Sequence, residues 1–134
     1  MRRFILAMGT LALFACGDST GVVQNVNGTY DLKTINGSPL PFTISLPGAV
    51  VTEDVTSDVI TASNGFFTDV TFYRDTDTQT GQVTTSSSSD TGTYVINGTA
   101  VTFQFNSGFT GNGTVSGNSF TIVDQGISLV YTLR

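Results

Sequence analysis

From Gly28 onward, apolar and polar residues alternate in short runs rich in Val, Ile, Thr, Tyr and Phe, and most runs close on Asn-Gly or another glycine pair. A period of two marks a strand with one buried face, and Asn-Gly between two such runs marks a hairpin. The first run, Gly28 to Ile35, sets Tyr30 and Leu32 against Asp31 and Lys33 and stops at Asn36-Gly37. Pro39, Pro41 and Pro47 bracket the apolar piece Phe42 to Leu46, which predicts an edge or crossing segment because proline cannot donate to a ladder. Val50 to Val55 and Val59 to Ala62 read as two strands parted by polar Thr56 to Asp58. Asn64-Gly65 then turns the chain into Phe66 to Arg74, where Val70 and Phe72 share one face and Asp69, Thr71 and Tyr73 the other. Asp75 to Ser89 has almost no apolar residue besides Val83 and predicts a long mobile excursion at one end of the fold.

The hairpins are clearest from Thr93 to the last residue, with turns at Asn97-Gly98 and Gly117-Asn118 and a glycine-rich stretch over Ser107 to Gly113. The final run sets Ile127, Leu129, Tyr131 and Leu133 against Ser128, Val130, Thr132 and Arg134, a strand predicted to pair on both sides. No window sustains a helical period, and glycine recurs too often for a helix of useful length. The expected fold is all-β: a small antiparallel meander barrel of about eight to ten short strands, which hides its edges by closing. A β-sandwich is the alternative, but it needs a longer crossing connection between sheets.

The N-terminal stretch has a different pattern. Arg2 and Arg3 precede an apolar run from Phe4 to Phe14, shorter than the roughly 20 residues that span a bilayer. Its end, Leu13-Phe14-Ala15-Cys16, resembles a bacterial lipobox. The resemblance implies that residues 1–15 are a signal peptide and that Cys16 is acylated. Residues 16–27 then form a flexible tether and 28–134 the barrel domain. It also implies a lipid-anchored place in a bacterial cell envelope, at the inner or outer membrane, on the periplasmic or surface side. Membrane attachment then comes from acyl chains, at about 0.8 kcal/mol per buried CH₂.

Gly28-Thr29-Tyr30-Asp31-Leu32-Lys33-Thr34-Ile35-Asn36-Gly37 and a closing Val130-Tyr131-Thr132-Leu133-Arg134 resemble small lipocalin-like bacterial lipoproteins, and META-type domains share a similar opening. In the lipocalin pattern a tryptophan on the first strand is covered by an arginine from the last. The resemblance puts Tyr30 in the tryptophan's place and leaves Arg134 as the arginine. It implies a binding barrel.

Composition narrows the chemistry. There is no histidine, which removes Ser-His-Asp triads and His-ligated zinc, and nothing near Lys33 forms a Ser-x-x-Lys arrangement. No enzymatic activity, cofactor or metal is expected. The single cysteine rules out an intramolecular disulfide. Loss of Arg2 and Arg3 with the leader leaves three basic against ten acidic side chains, a net charge of −7, so nucleic acid is not an expected partner. Glu53, Asp54 and Asp58 form the densest acidic group, open to reading as a carboxylate pair, a calcium site or a solvated face. Asp75-x-Asp77-x-Gln79-x-Gly81 has its glycine one place late for a calcium loop, and Ser86 stands where the bidentate glutamate belongs. Asn27, Asn36, Asn97 and Asn112 each satisfy Asn-x-Ser/Thr with glycine in the middle, which turn geometry explains.

The function expected from sequence is a lipid-anchored binding module for a small apolar ligand, with Phe72, Tyr94, Phe103, Phe105 and Tyr131 as the candidate cavity lining. The alternative is a structural or protein-interaction lipoprotein with a filled, ligand-free barrel and an envelope protein as partner. An inhibitor or stress-related role rests only on the META-type opening.

Overall fold

Asn36-Gly37 and Asn64-Gly65 both hold left-handed backbone, at φ 51° and 78° and at φ 53° and 85°. Two consecutive positive φ values define the hairpin turn whose twist matches that of the flanking strands, and asparagine and glycine tolerate it best. These dipeptides punctuate a computed structural model of the chain that describes residues 24–134. Ten strands follow in order: β1 (Gly28–Ile35), β2 (Ser38–Pro39), β3 (Phe42–Ile44), β4 (Val51–Ser63), β5 (Phe66–Asp77), β6 (Val83–Asn97), β7 (Ala100–Phe105), β8 (Thr110–Ser116), β9 (Ser119–Asp124) and β10 (Ile127–Leu133).

Strands β4 to β10 form an unbroken antiparallel meander, and β1 pairs with both β10 and β4, which closes the sheet. The barrel wall is therefore β1 with β4 to β10, eight strands, while β2 adds to β1 and β3 to β4. Closure, not sheet-on-sheet packing, hides the strand edges, so the sandwich alternative falls away. The proline-bracketed Phe42–Ile44 is an edge strand that touches β4 alone, and the final run pairs on both sides through β9 and β1.

Two stretches depart from the sequence reading. The two strands predicted around Thr56 to Asp58 are one 13-residue strand, β4, with a bulge between Val55 and Ser57. The Thr56 hydroxyl donates to the Phe72 carbonyl at 3.0 Å, and the extra residue reverses the alternation, so that Val55 and Asp58 are both buried. The second departure is Asp75 to Ser89, which is no mobile excursion. β5 continues to Asp77, a turn spans residues 78–82, and Ser86, Ser87, Ser88 and Ser89 lie opposite Tyr73, Phe72, Thr71 and Val70. This ribbon projects past the barrel wall, since β6 meets β7 only from Gly92 onward, and its serines and threonines face water.

The interior is packed with rings. Tyr30 meets Phe120 at 4.8 Å between centroids, Phe120 stacks on Tyr131 at 4.9 Å and lies 5.1 Å from Phe103, and Phe103 meets Phe67 edge-on at 5.2 Å. Such pairs contribute about 0.5–1.5 kcal/mol each beyond their buried area. Gly92 makes the packing possible: a Cβ there would lie 2.0 Å from the Gln104 carbonyl oxygen and 2.7 Å from the Phe67 ring.

The pole where β1 begins is sealed. Val26 is fully buried, and the Asn27 side-chain oxygen accepts hydrogen bonds from the Tyr94 hydroxyl at 2.6 Å and the Asn64 amide at 3.0 Å. Val26 and Asn27, which the sequence reading gives to the tether, are thus packed onto the barrel. The leader 1–15, Cys16 and the rest of the tether up to residue 23 lie outside the described residues.

Candidate functional site

With one pole filled, the free space lies at the other. The bulge in β4 carries Asp58 into the interior, and on β5 the phase set by buried Phe67 carries Asp69, Thr71 and Tyr73 in the same direction. Ser88 and Asp90 from β6, Phe105 from β7, Ile122 from β9 and Leu129 and Tyr131 from β10 complete the wall, and Phe109 closes over from the loop before β8. Together they enclose a cavity of about 510 Å³ that opens at this pole.

A pair of aspartates dominates its chemistry. Asp58 is only 7% exposed. Its Oδ2 accepts from the Tyr131 hydroxyl at 3.1 Å and from the Thr71 hydroxyl at 3.4 Å, while its Oδ1 and the Oδ1 of Asp69 are buried without a protein donor. The two carboxyl groups lie near enough to act on each other's ionisation. Burial raises the pKa of both, and the neighbouring Asp58 charge helps push Asp69 up to about 8. A charge on Asp58 thus opposes ionisation of Asp69, and the site is poorly suited to carrying two negative charges unaided. Burial also drives the Tyr131 phenol well above its ordinary value, reinforced by the Asp58 and Asp69 charges, so it stays a donor.

Asp90 faces Asp69 across the β5–β6 ladder but sits in a different environment. Hydrogen bonds from Ser107, through its side chain and its amide at 3.3 Å, and from the Thr91 amide at 2.7 Å hold its carboxyl below the usual range. The site thus combines an ionised carboxylate at the rim, a buried acid pair within, and ring faces and aliphatic groups beside them. It is a hydrogen-bonding and cation-attracting arrangement.

The five residues predicted to line an apolar cavity are dispersed. Phe105 and Tyr131 border the cavity. Phe103 is fully buried inside the ring stack, and Tyr94 is buried at the sealed pole, bonded to Asn27. Phe72 points outward and is 45% exposed, because β5 turns Asp69, Thr71 and Tyr73 inward, the reverse of a phase chosen by hydrophobicity.

Tyr30 is buried against Phe120, but Arg134 does not cover it: the guanidinium pairs with Asp31 on the outer face at 2.8 Å. The acidic group Glu53, Asp54 and Asp58 is split by the bulge, with Asp54 accepting from Thr43 at 2.6 Å and from Arg74 Nε at 3.1 Å. In the calcium-like stretch, the Asp77 carboxylate accepts the Gln79 and Thr80 amides at 2.8 Å and serves the turn. Among the described residues no group of three or more acidic or cysteine side chains is arranged to hold a metal ion. Asn112 lies within β8, not in a turn, where Gly113 permits close approach to Thr121.

The sequence reading named Asp58 but grouped it with Glu53 and Asp54, and it did not join it to Asp69, because the bulge in β4 that turns Asp58 towards β5 has no local signature. No known protein family, no curated protein and no solved structure matches this chain.

Proposed function

We propose that this domain is a small-molecule-binding barrel, carried in a bacterial envelope by lipid on Cys16, that takes its ligand at the open pole. The observation that carries the reading is the division of the interior. Rings fill the sealed pole, whereas a cavity of about 510 Å³, edged by Phe105, Ile122 and Leu129 on one side and by Asp58, Asp69 and Tyr131 on the other, remains open. That volume lies in the range of about 300–1,000 Å³ usual for small-molecule sites, and the mixed lining suits an amphipathic ligand better than a wholly apolar one. Anchoring is supported by Arg2, Arg3, the apolar run and Leu13-Phe14-Ala15-Cys16. With Val26 packed at the sealed pole, the tether joins the domain opposite the mouth.

A second reading, a protein-interaction module, is favoured by the ribbon: from Val83 to Thr91, β6 has β5 on one side and no β7 partner on the other. Native mass spectrometry of the full processed protein, released from detergent, separates the two. Binding predicts an added small-molecule mass that Ser88→Trp, which plugs the mouth without entering the ring stack, removes. A bare mass together with a co-purifying protein, lost when the β6 edge is blocked by Thr85→Pro, overturns binding in favour of interaction. For the anchor, Cys16→Ser is expected to move the protein from the membrane to the soluble fraction; continued membrane retention overturns lipidation.

A further inference from the structure

The open pole contains a negative charge without a counter-charge. The domain's three cationic side chains are all committed to the outer surface, where Lys33 and Arg134 pair with Asp31 and Arg74 pairs with Asp54. None reaches Asp58, which is buried with its Oδ1 lacking a donor, or the equally donorless Oδ1 of Asp69 beside it. The other titratable groups around the pair are Asp90 on β6, Tyr73 on β5 and Tyr131 on β10, and Glu53 lies farther along β4. None of these supplies positive charge. What the pair lacks is a cation that donates two hydrogen bonds.

The rest of the wall says which kind of cation. Tyr73, Tyr131, Phe105 and Phe109 present aromatic surface, which attracts a positive charge electrostatically, and Ile122 and Leu129 offer contact to carbon. A bare metal ion needs several oxygen ligands and no apolar wall, whereas an ammonium group on a hydrocarbon skeleton uses both halves. We propose that the Asp58–Asp69 pair receives the ammonium group of an organic amine, whose carbon skeleton lies along Phe105, Ile122 and Leu129. The proposal rests on the binding-barrel reading and specifies its ligand class.

The test is calorimetric titration of the full processed protein in a non-ionic detergent with n-hexylamine, 2-phenylethylamine and 1,5-diaminopentane. The neutral analogues n-hexanol and 2-phenylethanol serve as controls, and each titration is run near neutral pH. The expected result is that an amine binds about tenfold or more tighter than its matched alcohol, since hydrogen bonds to charged groups outweigh neutral ones. Asp58→Asn and Asp69→Asn keep the size of the pair and are each expected to weaken amine binding by about tenfold or more, with alcohol binding unchanged.

Alcohols binding as tightly as amines overturn the amine proposal and leave the binding barrel standing. Calcium chloride competing at micromolar concentration overturns it in favour of an inorganic cation. No heat from any amine overturns it as well, and the barrel reading is then judged by the native mass measurement alone.

Discussion

Tyr131 on β10 donates its phenolic hydrogen to Asp58 on β4 at 3.1 Å, joining strands whose residues are 73 positions apart. Tyr131→Phe keeps the ring stacked on Phe120 but removes that donor from a buried carboxylate. Leaving a buried acceptor short of a partner costs about 1–3 kcal/mol, so the urea midpoint is expected to fall with an unchanged slope. The Asp58 titration, followed by the carbon shift of its carboxyl group, is expected to move further up. An unchanged midpoint and titration would show that the bond contributes nothing.

The acid pair gives the domain an unusual dependence on pH. A carboxyl whose folded pKa is raised stabilises the fold fully below its unfolded value, and that contribution is lost as pH rises through the folded value, about 8 for Asp69. Asp58 acts in the same direction. Asp31, held down chiefly by Arg134, and Asp54, held down by Thr43 and Arg74, act oppositely: their contribution is present above the ordinary carboxylate range and is lost below it. Scanning calorimetry is therefore expected to show the highest Tm at mildly acidic pH, with a decline towards pH 9. Asp69→Asn is expected to flatten the alkaline decline and to raise Tm above pH 8. A wild-type Tm that climbs steadily from acid to alkaline pH would contradict the raised ionisation of the buried pair.

Gly92 is irreplaceable for reasons of space. Its backbone φ is unexceptional, but an added Cβ would lie 2.0 Å from the Gln104 oxygen across the ladder. Gly92→Ala is expected to cost about 3 kcal/mol, the upper part of the usual overpacking range, measurable by urea unfolding. Gly37→Ala, with nothing within 4 Å of the new methyl, tests turn strain alone and is expected to cost less.

Phe103 and Phe72 make a matched pair of opposite placement. Phe103 is fully buried between Phe67 and Phe120, and Phe103→Ala is expected to cost about 3–5 kcal/mol. Phe72→Ala, on the outer face, is expected to stay within about 0.5 kcal/mol of wild type and to leave any ligand titration untouched. The Phe72 result reads directly which face of β5 lies outside the barrel.

That face shows where the sequence was legible and where it was not. Asn36-Gly37 and Asn64-Gly65 declared their hairpins because turn chemistry is local, and the final strand declared its pairing because Ile127, Leu129, Tyr131 and Leu133 share one face, with Ser128, Thr132 and Arg134 among the residues of the other. The phase of β5 was not local. It is set by Phe67 fitting over Gly92 on the next strand, a contact between residues 25 positions apart, and that fit forces Phe72 out and Asp69 in. The bulge in β4 likewise depends on ladder register with β5, which an isolated reading of Val51 to Ala62 does not contain. The serines of β6 read as a loop because composition reports exposure. Their backbone partners, supplied by β5, leave no trace in it.

The seam that closes the barrel also orders events in time. The ladders from β4 to β10 each join strands adjacent along the meander, whereas β1 must find both β4 and β10, with Asp31 and Arg134 meeting across 103 residues. Hairpins between neighbours form in microseconds, and distant pairing waits on a much costlier chain closure. The meander from β4 to β10 therefore assembles first, with both of its outer strands uncovered, and β1 acts as the final stave. Until it docks, the nascent barrel offers two bare strand edges to any other chain nearby. The rate of that last docking, more than the stability of the finished wall, governs how much of this protein escapes aggregation as it folds.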